Sequence, residues 1–441
     1  MTSSVPVEGG PHHGLGGLID ELEWRGILHA TTPGLAARLA TGEPISAYIG
    51  FDPSAPSLHI GSLVPIFGLL RLQRRGGRPV AVVGGGTGMI GDPSGRSAER
   101  NLLDRDTLEA NLIGVRGQLE RFLDFAPGSG GAVMVNNLDW LSELSLIDFL
   151  RDTGKHFTIP YMLAKDSVQV RLDRGLSFTE FSYMLLQAYD FAHLHRTMGV
   201  ELQMGGADQW GNITAGLELI RRLGGGEEES DVAHGLAYKL LLNPSGTKFG
   251  KSEEGESVWL DPERTSPYAF YQHWLNTDDR DVGVYLRWFT EMSRGEIEAL
   301  EAETSRAPEA RAAQRALARD ITARTHGEAA AAQAIADSEA RFAPAGAMGL
   351  IEDLDALRGL FERGGGFTFD GHMLAAGTAV LLASAGLFSS RGEARRMIAG
   401  GGVTINGTRV TDPALVPEPI AGEWLDVRIG KRRREIGRRA E

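Results

Sequence analysis

Residues 45–88 read ISAYIGFDPSAPSLHIGSLVPIFGLLRLQRRGGRPVAVVGGGTG, and this stretch decides the fold. ISAYIGF is short and rich in β-branched and aromatic side chains, as a buried strand requires. DPSAPS supplies turn residues. In HIGSLVPIFGLLRLQRRG the apolar Ile60, Leu63, Val64, Phe67 and Leu70 recur every three or four residues, the period of a helix with one buried face. RPVAVVGGGTG then returns as a continuous apolar run ending in glycines. Strand, helix, strand in that order predicts an α/β, Rossmann-like parallel sheet with helices on both faces and ligands at the carboxyl ends of its strands. Further units continue to about residue 245, including VELQMGG (200–206) and the helical QWGNITAGLELIRRLGG (209–225).

Outward from this core the pattern changes. Residues 1–15 form a loose leader, in which His12 and His13 are solvated rather than metal-bound. The α/β domain spans 16–260. YAFYQHWL, VGVYLRWF and the alanine-rich stretch from Glu309 to Arg341 predict an α-helical domain over 261–342. Residues 343–371, with GGG at 364–366, read as a linker. A small α+β domain follows over 372–441: the helices TAVLLASAGL and SSRGEARRMIAGG, then VTINGTRV, a hairpin turning on Asn-Gly.

Composition excludes several classes. With 441 residues, 42% hydrophobic and 23% charged, the chain is neither disordered nor collagenous. No apolar run approaches the roughly 18 residues of a membrane span, and MTSSVPVEGGPHHG lacks the order of a signal peptide. There is no cysteine, which removes disulfides, thiol nucleophiles and cysteine-held metals, and fits a cytoplasmic protein with no membrane partner. The net charge is −13, yet from Arg391 onward 11 Lys and Arg stand against 7 Asp and Glu, leaving −17 on residues 1–390. An acidic body with a basic tail points to a local polyanion contact, or to a charged terminus in solvent.

Two segments carry chemistry. SLHIGSL opens a helix after a strand and turn, where unpaired N–H groups favour phosphate; alone, a histidine there is ordinarily a cap. GTKFGKSEEG (246–255) places two lysines three apart in a glycine-flanked polar loop able to close on polyphosphate; alone, it is ordinarily a solvated loop. Together they resemble the HIGH and KMSKS motifs of class I aminoacyl-tRNA synthetases, standing here as HIGS (59–62) and KFGKS (248–252). YIGFDPSAPSLHIG, GMIGDPSG, GKHF, SFTEFSYMLLQAYDF, GGADQWGNITAGLELIRR and TSPYAFYQHWLNTDDRD closely resemble the bacterial-type tyrosyl-tRNA synthetase family, covering roughly residues 20–300. SRGEARRMIAGGGVTINGTRV resembles the small RNA-binding domain that family shares with a ribosomal small-subunit protein.

The resemblance implies tyrosine activation by ATP, with Mg²⁺ carried mostly by phosphate oxygens and water, followed by transfer to tyrosine tRNA on a symmetric homodimer. No protein-bound structural metal is expected. Tyr48 and Asp190 would meet the substrate phenol; Asp92, Tyr183 and Gln187 the α-amino group; Asn137 and Gln203 line the same pocket. Gly50, Asp52, Ser54, His59, Gly61 and Ser62 would lie along ATP, with Gly206 and Asp208 on its ribose. Lys248 and Lys251 would close on the leaving pyrophosphate, assisted by Arg96 and Arg100. The helical domain would face the anticodon stem, and Arg391, Arg395, Arg396, Arg409 and the run 431–434, above all Lys431 and Arg432, would read the tRNA backbone.

Three departures stand out: Ser62 where the family has His or Asn, KFGKS for KMSKS, and Arg96 where many relatives carry Lys. Alternatives are a tryptophan-specific relative, an RNA-binding protein that kept the fold without catalysis, and a small nucleotidyltransferase. The Tyr48 and Asp190 pair speaks against the first, the intact His59 and lysine loop against the second, and residues 266–441 against the third.

Overall fold

The computed structural model describes residues 14–92, 105–128, 130–165, 168–169, 175–224, 233–241, 257–342, 354–364, 366–430 and 433–440. Residues 1–13 of the leader, Arg96, Arg100, Lys248, Lys251, Lys431 and Arg432 lie outside the described residues. Leu15, read from the sequence as part of the loose leader, is instead buried at the start of a short helical turn, Leu15–Gly17.

The main sheet is built from β1 (Leu28–Thr31), β2 (Ser46–Phe51), β3 (Arg78–Val83), β4 (Val133–Asn136), β5 (Val200–Gly206) and β6 (His234–Tyr238), in the order β1-β6-β5-β2-β3-β4. Every neighbouring pair is parallel except β1 with β6 at one edge. From β2 the chain steps outward to β3 and β4, then crosses back to lay β5 and β6 on the other side. The loops leaving β2 and β5 therefore part, and a crevice opens at their carboxyl ends.

The predicted strands form because their side chains are buried on both faces: positions 79–83 of β3 are all buried. On one face the 21-residue helix Phe178–Met198 lies beside helix Trp210–Leu223. Met184, Ala188 and Phe191 of the first and Ala215 and Leu219 of the second share a core with Tyr48, Val80 and Val82. Ser177 caps the long helix by accepting from the Glu180 N–H, and Gly199, at φ 64°, ends it. Helix Leu63–Arg74 also packs on the sheet, burying Ile66, Phe67, Leu69, Leu70 and Leu72.

The chain divides into two compact units, Met1–Asp261 with Asp278–Ala313, and Pro262–Thr277 with Gln314–Glu441. The expected helical domain 261–342 is thus split. Helices Val282–Phe289 and Arg294–Arg306 join the α/β unit because buried Arg25 and Arg71 donate to the carbonyls at the end of the first: Arg25 to Arg287 (2.8 Å) and Thr290 (3.0 Å), Arg71 to Trp288 (2.8 Å). Glu291 completes the clasp with Arg71 and Arg74.

In the second unit, β7 (Phe367–Phe369), β8 (Val403–Ile405), β9 (Thr408–Val410), β10 (Trp424–Ile429) and β11 (Arg433–Arg439) form a sheet ordered β7-β11-β10-β8-β9. Residues 354–369 are therefore not a linker but helix Leu354–Gly364 and strand β7, which runs parallel to β11. The Asn-Gly hairpin is present, Asn406 and Gly407 at φ 48° and 76° joining β8 to β9. No helix among the described residues is long and apolar enough to cross a membrane.

Candidate active site

A cavity of about 400 Å³ opens at the crevice between β2 and β5. Thirteen of the residues singled out from the sequence line it: Tyr48, Gly50, Asp52, His59, Gly61, Asp92, Asn137, Tyr183, Gln187, Asp190, Gln203, Gly206 and Asp208. They come from β2, β5, the helix start after β2, the segment after β3, the end of β4 and helix Phe178–Met198, so the carboxyl ends of the strands and one long helix bring them together. Ser54 is exposed, and neither it nor Ser62 is among the lining residues.

One end of the cavity is a buried polar cluster. Tyr48 on β2 and Gln203 on β5 are register partners, 2% exposed each. The Tyr48 hydroxyl and Gln203 Oε1 are buried with no hydrogen-bond partner, and such orphaned groups cost about 1–3 kcal/mol apiece. Asp190 completes the cluster. Its carboxylate accepts from Asn137 Nδ2 at 2.8 Å and Trp140 Nε1 at 2.7 Å. Burial pushes its pKa up to about 7, against the pull of those two donors. The Tyr48 hydroxyl is held well above the usual phenol range by burial and then by the Asp190 charge.

Asn137 is committed to the scaffold. Its Oδ1 accepts from the Gly86 N–H at 2.8 Å, and Nδ2 also donates to Thr87 Oγ1 at 2.8 Å, tying the glycine turn after β3 to Asp190. Across the cavity Gln209 links two predicted residues. Its Nε2 donates to Asp92 (2.6 Å) and its Oε1 accepts from Gln187 (3.1 Å). At Gly206 an added Cβ would sit 2.6 Å from Asp208 Oδ1, so a side chain there would push that carboxylate away from the strand end.

The histidine–glycine segment is a cap in fact as well as in sequence. His59 Nδ1 accepts from the Gly61 N–H at 3.0 Å, which leaves the proton of the neutral ring on Nε2. Residues 258–260, just beyond the lysine segment, pair with 58–60: Ile60 N donates to Val258 O (3.0 Å) and Leu260 N to Leu58 O (2.9 Å). The chain just beyond the lysine segment is thus held against the start of the histidine–glycine segment, nearly 200 residues away in sequence. Trp140, Gln209, Thr87 and the exposed Lys239, which also lines the cavity, were not singled out from the sequence. The GGADQWGN run, with Gln209 beside Asp208, held the only such signal.

In the second unit Arg391, Arg395 and Arg396 lie on exposed positions of helix Arg391–Ala399, and Arg409 is exposed on β9. Arg434, by contrast, is 2% exposed, donates to Asp426 from Nε (2.7 Å) and to Ala340 O (2.7 Å), and is withdrawn from any polyanion. Its place in the basic run is overturned by β-strand alternation, which turns it inward.

Residues 40–343 match the family described as tRNA synthetases class I (W and Y), and residues 379–418 match the S4 domain. The tyrosine–tRNA ligase of Roseiflexus castenholzii is 50% identical over 423 residues, covering 94% of this chain and 97% of that one. That of Bacillus caldotenax is 49% identical over 422 residues, covering 94% and 98%. Among solved structures, a C-terminally truncated Coccidioides posadasii mitochondrial tyrosyl-tRNA synthetase superposes with a TM-score of 0.63 at 31% identity, covering 73% of this chain and 91% of its own.

Proposed function

This chain belongs to the class I tRNA synthetases of the tryptophan and tyrosine type, and on that premise we propose that its cavity activates L-tyrosine with ATP and passes it to tRNA. The activity is tyrosine–tRNA ligation. The observation that carries the tyrosine reading is the buried cluster of Tyr48, Gln203 and Asp190, where a hydroxyl and an amide oxygen lack partners beside a carboxylate. A phenol is a donor and an acceptor on a flat apolar body. It would donate to Asp190 and accept from the Tyr48 hydroxyl, satisfying groups that a phenylalanine ring leaves unpaired.

The amino-acid end follows. Asp92, held by Gln209, with Tyr183 and Gln187 one helical turn apart, would take the ammonium. The substrate carboxylate then attacks the α-phosphorus of ATP; the α–β bridging bond breaks and pyrophosphate leaves with the electron pair. The attacking group is already ionised, so no side-chain base is needed, and positioning and charge stabilisation account for the rate. His59 would offer Nε2–H to the phosphates, the backbone at Gly50 and Asp52 would lie along them, and Gly206 and Asp208 would hold the ribose. Lys239 would face ATP from a lining that also carries Asp52, Asp92, Asp190 and Asp208. Lys248 and Lys251, with Arg96 and Arg100, would neutralise the leaving pyrophosphate.

ATP enters as its magnesium complex. Phosphate oxygens and water would carry most of that ion's coordination, as is usual for magnesium. In the second step a terminal ribose hydroxyl of tRNA attacks the carbonyl, giving up its proton as AMP departs. A homodimer is part of the reading: Leu146, Ile147, Leu150, Ile159 and Phe178 are large apolar side chains left 47–76% exposed along one segment of the α/β unit.

Amino-acid-dependent exchange of pyrophosphate into ATP, run with all twenty amino acids and no tRNA, tests the proposal. Exchange is expected to be far more efficient with tyrosine than with any other amino acid; exchange with tryptophan alone, or none from folded protein, would overturn it.

A further inference from the structure

We propose that His193 is a positioning residue for tyrosine recognition, acting through the indole of Trp140. The inference rests on Asp190 being the acceptor for the substrate phenol. Trp140 donates its Nε1–H to Asp190 at 2.7 Å, while its face stacks on the His193 ring with centroids 4.6 Å apart and planes within 15°. Asp190 and His193 are three residues apart on helix Phe178–Met198, so one indole bridges neighbouring positions of that helix, held at its edge by the carboxylate and at its face by the imidazole. Tyr189, four residues before His193, lies beside that imidazole at 6.2 Å and 29°, and Phe149 packs against Tyr189 at 6.3 Å.

His193 Nδ1 is buried with no hydrogen-bond partner. The ring is therefore placed by stacking, and its flat face is what fixes Trp140. A hydrogen bond to a carboxylate weakens steeply as the donor swings out of line. Without His193 the indole gains freedom to rotate, and the Asp190 oxygen that should meet the phenol loses its fixed direction. The contribution falls on the phenol and not on the ring, the ammonium or the phosphates.

Pyrophosphate exchange by the full-length protein separates the outcomes, with tyrosine and phenylalanine each as substrate. His193→Ala is expected to raise the tyrosine KM about 2- to 10-fold, the range of one aromatic pair, with kcat and the phenylalanine KM unchanged. His193→Phe keeps a stacking ring and should restore the tyrosine KM. In a Trp140→Phe background, where the N–H is already gone, adding His193→Ala should change nothing further. An unmoved tyrosine KM, equal losses for both amino acids, or full additivity with Trp140→Phe would overturn the proposal. Asp190→Ala tells this failure from that of its premise. If Asp190→Ala lowers tyrosine selectivity while His193→Ala does not, the positioning role alone falls; if Asp190→Ala leaves selectivity intact, the phenol assignment falls with it.

Discussion

Tyr48 carries a hydroxyl that the folded chain buries without a partner, and Asp190 a carboxyl that burial holds near pH 7. Both are unfavourable to the unliganded protein and useful to one that must recognise a phenol. Tyr48→Phe should therefore leave the melting temperature of the unliganded protein unchanged or raised, while weakening tyrosine by about tenfold and phenylalanine not at all. Scanning calorimetry beside exchange kinetics checks both halves; a variant that loses stability and keeps its selectivity would remove Tyr48 from the pocket. The same cluster sets a pH trend. Asp190's folded pKa is raised, so its contribution to unliganded stability is full below about pH 4 and is lost as pH rises through about 7. If the phenol donates to ionised Asp190, as proposed, tyrosine binding should run the other way, tightening from pH 6 to pH 8. A flat tyrosine affinity over that range would show that the carboxylate is not the acceptor. Trp140 and Gln209 escaped the sequence reading for a physical reason: their partners are Asp190 and Asp92, 50 and 117 residues away, and no local period announces such a bond.

The elements near residues 45–88 were legible because strand and helix there are buried strongly enough to impose clean periods. β2, β3, β5 and the helices after them appear where the apolar pattern put them. Gly364 and Gly366 misled, since they signal close packing and not a linker. A Cβ on Gly364 would stand 2.3 Å from the Arg341 guanidinium, and one on Gly366 2.2 Å from Ile436 O. Helix Val282–Phe289 was legible as a helix, but its attachment was not, because that depends on two arginines more than 200 residues upstream. Arg71 is 2% exposed, its pKa lowered by burial to about 10 against the support of Glu291. Arg71→Met would leave Glu291 buried beside one remaining arginine and the Trp288 carbonyl without its donor. The expected cost is about 3 kcal/mol or more in urea unfolding; a loss under about 1 kcal/mol would mean that helix is held by apolar packing alone.

For the molecule as a whole the question is how a chain of net charge −13 accepts a polyanion. All thirteen predicted residues that line the cavity belong to the unit that carries the acidic excess, and the exposed arginines of helix Arg391–Ala399 belong to the other. If those arginines meet the tRNA, chemistry on small substrates and capture of RNA should be separable by mutation. Removing residues 372–441 would not separate them cleanly, because β7 would lose β11 and the Ala340 carbonyl its Arg434 donor. Charge reversal is the gentler cut. Arg391 and Arg395 are exposed and make no ion pair among the described residues, so Arg391→Glu with Arg395→Glu leaves the core of that unit intact. Tyrosine-dependent pyrophosphate exchange should be unchanged, while kcat/KM for tRNA charging falls by at least about tenfold at low salt. The slope of log affinity against log salt should also shrink, by about 0.7–0.9 for each phosphate that an arginine no longer neutralises. If charging and its salt dependence both survive the reversal, the tRNA meets this protein elsewhere, and the basic excess after residue 390 is a solvated terminus.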